Sequence, residues 1–213
     1  MRRILVVMLM LAAVVVAMPS TLTVNRPAEA HQPQCEDEDI GPDAPLRVSD
    51  PTVSTAFYAT LVPEDDVDYF TFYGRADQRI LLGMTIPQVE GQEDFAPTLA
   101  LMGPGLPDVD LPESIVQPRR TGALVIEPLE GKAESFYEPF SRTSYWERQE
   151  EIVTLPANGR YTVAVWHAGG DIGHYVFVIG SREIMGGDIE CLMNLDRYFT
   201  PVEPVAEPAD DPV

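Results

Sequence analysis

The sequence predicts an all-β fold, an antiparallel two-sheet jelly-roll-like sandwich with long proline-rich loops. Three observations carry that expectation. Apolar residues recur with a period of two along most of the chain, and the runs they form are rich in β-branched and aromatic residues. Clusters of Gly, Pro, Asn and Asp punctuate the runs. No amphipathic stretch competes as a helix, so the strands can bury their apolar faces only against one another. A closed barrel is the second arrangement that satisfies the pattern.

Taken in order, the chain opens with Arg2 and Arg3 before an unbroken apolar run from Ile4 to Met18, which Pro19 and Ser20 end. A membrane-spanning helix needs about 20 apolar residues. The run is shorter and reads as the core of a signal peptide, with Ala28-Glu29-Ala30 as a small-x-small cleavage site. Residues 1–30 are therefore expected to leave, making His31 the mature N-terminus; the alternative is an uncleaved anchor. Either outcome places the remainder outside the cytoplasm, secreted or at the cell surface. Residues 31–45 form an acidic arm and 46–183 the sandwich. A C-terminal segment over 184–200 holds Cys191, and an acidic proline-rich tail over 201–213 is expected to be disordered.

Eight apolar runs define the expected strands. They carry Phe57, Ala59 and Leu61; Phe70 and Phe72; Ile80, Leu82, Met84 and Ile86; Leu99 and Leu101; Leu124 and Ile126; Val153 and Leu155; Tyr161, Val163 and Val165; and Tyr175, Phe177 and Ile179. Tyr73 alternates with Phe72 and so points the other way. Connections over 87–94, 103–120 and 128–148 exceed hairpin length, and loops of this kind on a rigid scaffold often carry binding functions.

Composition limits the partners. With 34 acidic against 14 basic residues the formal charge is −20, which disfavours nucleic acid and anionic lipid surfaces. A membrane role is expected only if the signal is kept. The two cysteines, Cys35 and Cys191, bracket nearly the whole mature domain. Outside the cytoplasm such a pair reads as a disulfide, worth about 4 to 5 kcal/mol in the chain-entropy picture.

Two stretches carry a family likeness. Glu64-Asp65-Asp66-Val67-Asp68-Tyr69-Phe70-Thr71-Phe72 resembles the D-x-D-x-[YF] entry strand of the bacterial pre-peptidase C-terminal domain. Gly159-Arg160-Tyr161-Thr162-Val163-Ala164-Val165, followed by Gly173-His174-Tyr175-Val176-Phe177-Val178, resembles its closing hairpin. The likeness spans about residues 53–180 and departs over 87–150, where this chain is longer. It implies a compact jelly-roll-like sandwich that normally accompanies a secreted enzyme. A partial likeness to the collagen-binding domains of secreted collagenases implies calcium held between an acidic N-terminal arm and an Asp-rich turn.

The residues offer a calcium reading of their own. Hard cations take six to eight oxygen ligands. Glu36, Asp37, Glu38 and Asp39 supply carboxylates on the arm, and Asp65, Asp66 and Asp68 supply more at the turn. An EF-hand is excluded, because position twelve counted from Asp37 is Val48. The competing reading is a solvated arm beside an ordinary turn. His31, His167 and His174 suggest copper or zinc more weakly, with no third ligand set by spacing. Phe136, Tyr137, Phe140, Tyr145 and Trp146 crowd one expected loop and suit a peptide or carbohydrate, unless the loop folds over a sheet edge and buries them. No G-x-S-x-G elbow is present, and no spacing singles out a carboxylate pair. The chain reads as a non-catalytic extracytoplasmic module for an unnamed extracellular ligand; the alternative is a small secreted hydrolase.

Overall fold

The computed structural model describes residues 31–129 and 133–204. The expected signal peptide, and the tail beyond Pro204, lie outside the described residues. The fold is a β-sandwich of two packed sheets. Its strands are β1 (Gln32–Cys35), β2 (Leu46–Arg47), β3 (Thr55–Leu61), β4 (Val67–Gly74), β5 (Arg79–Pro87), β6 (Thr98–Gly103), β7 (Gly122–Ile126), β8 (Glu134–Glu138), β9 (Thr143–Thr154), β10 (Gly159–Trp166) and β11 (Gly173–Ile179). One sheet runs in the order β1-β3-β11-β5-β9-β8 and the other β2-β4-β10-β6-β7. Both are mixed: β1 pairs parallel with β3 and β2 pairs parallel with β4, while the other pairings are antiparallel.

The period of two sets which side chains meet. Ile80, Leu82, Met84 and Ile86 on β5, with Phe57 and Phe177 of the same sheet, share one core with Phe70, Phe72, Leu99, Tyr161 and Val163 of the other. Rings of Phe57, Phe70 and Phe177 sit 4.8 to 6.1 Å apart at its centre. Tyr161 enters this layer from β10 and donates its hydroxyl to the carbonyls of Pro104 and Ala157. A Cβ at Gly103 would run into that ring, so the close approach of β6 to β10 requires glycine there.

Alternation alone would leave the outward positions wet, but the outer faces are partly covered too. A short helix α1 (Ile189–Met193) and a 3₁₀ turn (Leu195–Phe199) lie on the six-stranded sheet. They bury Tyr58, Val176 and Val178 beneath Cys191, Leu195 and Tyr198. Cys191 is disulfide-bonded to Cys35, so the staple fastens this cover to β1. On the other sheet Ile115 and Leu111 cover Tyr69, Ala100 and Ala164.

The expected loop over 128–148 is mostly a hairpin. β8 and β9 pair with Phe136 opposite Tyr145, extending the six-stranded sheet by one edge strand. The aromatic residues therefore do not act as one loop. Tyr145 is buried beneath Phe199, Trp146 is half-buried against the core, and Phe136, Tyr137 and Phe140 are exposed. The arm also differs from a free acidic segment, since its first residues are strand β1.

Candidate metal site

The arm reaches the sandwich by a defined route. After Cys35 the parallel ladder continues one step, with the Glu36 N–H donating to the Tyr58 carbonyl. The chain then crosses to the other sheet, where the Tyr69 N–H donates to the Ile40 carbonyl at 2.7 Å. The crossing carries Glu36 and Asp39 over the open end of β3 and β4, next to Asp68.

Asp68 shares the inward parity of Phe70 and Phe72 on β4 and is fully buried. A carboxylate at a core-facing position needs partners. Tyr175, inward-facing on β11, donates its hydroxyl to Asp68 Oδ2 at 2.6 Å, which links the two sheets. Asp68 Oδ1 is buried with no hydrogen-bond partner among the described residues. Ligand atoms of Glu36, Asp39 and Asp68 all lie within 4.8 Å of one another. Among the described residues this is the group of acidic, His or Cys side chains that converges so closely.

Surrounding groups fix the carboxylates in place. The Thr60 N–H donates to Glu36 Oε2 at 2.8 Å, and the Val62 N–H to Asp66 Oδ2 at 2.9 Å. Glu36, Asp39, Asp66, His174, Arg197 and Tyr198 line a cleft of about 340 Å³ over the cluster. The other expected ligands stand further out. Asp37 is exposed and paired with Arg197 at 3.4 Å, Glu38 is exposed at the rim of the cleft, and Asp65 faces a separate groove beside Trp166 and His167.

Crowding raises the proton affinity of these carboxyls. Burial pushes Asp68 up, the neighbouring Glu36 charge adds to it, and the Tyr175 hydroxyl only partly offsets it. Glu36 is likewise raised by burial, against the Thr60 N–H, with the charges of Asp66 and Asp39 adding to the effect. Asp66 is raised by burial to about 6. Burial holds His174 down at about 4, so its ring is neutral, with Nδ1 2.7 Å from Thr60 Oγ1. The carboxylate set is thus dense in oxygen donors, with Arg197 at the cleft as a nearby cation that only partly offsets the crowding at Glu36. The set suits a hard divalent ion, and Asp68 Oδ1 is an oxygen such an ion would satisfy. Two of the three histidines stand apart from it, His31 on Ser54 and His167 stacked on Phe95, whereas His174 lines the cleft.

A pH dependence follows for chelator-treated protein. Asp66, raised from 3.8 to about 6, binds its proton more tightly folded than unfolded. Its contribution to stability is therefore complete below 3.8 and lost as the pH rises through about 6. Glu36 and Asp68 shift in the same direction. His174 acts oppositely: its contribution is complete above 6.5 and is lost as the pH falls through about 4. Three carboxyls outweigh one imidazole, so the melting temperature should fall between about pH 5 and pH 8. Asp68→Asn should flatten that slope, and a slope unchanged by the substitution would contradict the assignment.

No protein-family model matches the chain, and no curated protein matches it. Among solved structures it is similar to a periplasmic lysozyme inhibitor of g-type lysozyme from Aeromonas hydrophila. The two share 13% identity at a TM-score of 0.37, over 71% of this chain and 98% of that one. It is also similar to the pre-peptidase C-terminal domain of collagenase from Bacillus anthracis. Here identity is 11% and the TM-score 0.32, over 63% of this chain and 92% of that one. The second belongs to the family that the Glu64-to-Phe72 and Gly159-to-Val178 stretches resemble.

Proposed function

We propose that the chain is an exported, non-catalytic β-sandwich module that binds an extracellular protein partner, and that one calcium ion locks its N-terminal arm in place. Glu36, Asp39 and Asp68 would hold the ion, with Asp66 beside them. The observation that carries the calcium reading is the fully buried Asp68, whose Oδ1 lacks a hydrogen-bond partner among the described residues while two further carboxylates converge on it. Without a cation those groups must repel one another or hold protons. Calcium would remove both costs and stabilise the folded state by mass action. The disulfide supports export, because such bonds persist in oxidising compartments.

The test is thermal melting at moderate salt, where general screening is already strong. Millimolar calcium should raise the melting temperature of chelator-treated protein, and magnesium should do less, since it sheds its waters reluctantly. Asp210→Asn in the tail should leave the response intact. Equal shifts with both ions would mean counterion screening, and the site would be rejected.

A further inference from the structure

Sheet edges are templates for foreign strands unless they are covered, shortened or charged. Three of the four edges here are covered or short. On β1 the Asp188 N–H donates to the Pro33 carbonyl and the Gln32 side-chain amide to the Ile184 carbonyl. On β7 the Ala123 N–H donates to the Pro107 carbonyl. β2 is two residues long. β8 differs: it is the outermost strand of its sheet, and no strand pairs with its far side among the described residues.

Its side chains are unusual for a guarded edge. Phe136 stacks on Tyr145 at 5.6 Å yet stays 37% exposed, Tyr137 is 60% exposed, and Phe140 in the following turn is 48% exposed. By the two-residue period Glu134, Phe136 and Glu138 share one face of β8. A second copy pairing about a two-fold axis at Phe136 would set Glu134 against Glu138 of its mate, and each copy carries a formal charge of −20. The edge repels itself and other acidic strands. An extended strand with a cation at each end and an apolar residue between them would meet complementary groups at all three positions.

We propose that the free edge of β8 is a strand-addition site for an extended, basic segment of a partner protein, with cationic residues opposite Glu134 and Glu138 and an apolar residue against Phe136. This rests on the reading of the chain as a binding module and not on calcium. Loss of this site would leave the calcium melting shift intact, and loss of that shift would leave this site intact.

The probe is a capped peptide, Thr-Lys-Thr-Val-Thr-Lys-Thr, compared with the same peptide carrying Glu for both Lys. At low salt and millimolar peptide the lysine form should shift the backbone amide resonances of residues 134–138. Glu134→Lys, expected to melt like the wild type because the position is exposed, should bind the lysine peptide at least about tenfold more weakly and should gain binding to the glutamate peptide. The proposal is overturned if both peptides bind the wild type equally or neither shifts β8. It is also overturned if the shifts gather in the groove beside Asp65 and Trp166, or if the protein self-associates through this edge.

Discussion

Phe72→Ala is expected to destabilise the protein by about 3 to 5 kcal/mol, the range for emptying a buried aromatic site. The ring is 3% exposed and stacks on Tyr161 at 5.7 Å between the sheets. Tyr73, one residue on, is 67% exposed, so Tyr73→Ala should change stability by about 0.5 kcal/mol or less. Denaturant melts of the two variants measure both values. Equal losses would mean that the register of β4 against β10 differs from the pairing of Phe72 with Tyr161.

Loss of the disulfide should have the second large effect. Cys35 and Cys191 are 156 residues apart in sequence, and removing a native staple from a small secreted domain typically costs about 2 to 5 kcal/mol. The structure adds a local consequence. The bond holds α1 and the 3₁₀ turn over Tyr58, Val176 and Val178, and it anchors β1 one residue before Glu36. Cys35→Ser with Cys191→Ser should therefore lower the melting temperature and also weaken calcium binding, although a hard cation takes oxygen ligands and not disulfide sulfur. An unchanged calcium response in the double variant would mean that the arm is held by its β1 ladder alone.

The core was legible because alternation reports directly on the inward face, and β5 shows it best: Ile80, Leu82, Met84 and Ile86 are all buried. Three strands escaped that signal. β1 reads Gln-Pro-Gln-Cys and forms because β3 offers a parallel edge and the disulfide holds it there. β2 is too short to show a period. In β8 the two rings are adjacent rather than alternating, so the segment looked like an aromatic loop. Burial of Tyr58 and Tyr69 was also invisible, since the segments covering them are distant in sequence.

The acidic cluster was legible as a set of seven carboxylates, but not as the three that converge. Which ones meet depends on the arm crossing from β3 to β4, a tertiary event. One signal was available: Asp68 has the same parity as Phe70 and Phe72, which marks it as a carboxylate pointing into the core. The backbone N–H groups that fix Glu36 and Asp66 leave no trace in the sequence.

Calorimetric titration of chelator-treated protein with calcium, wild type beside Asp68→Asn, tests the central claim most directly. The account predicts one calcium site per chain in the wild type, with protons released on binding because the raised carboxyls must ionise, and no such site in the variant. A wild type that takes up no calcium, or a variant that binds it with the same stoichiometry and affinity, would contradict the account.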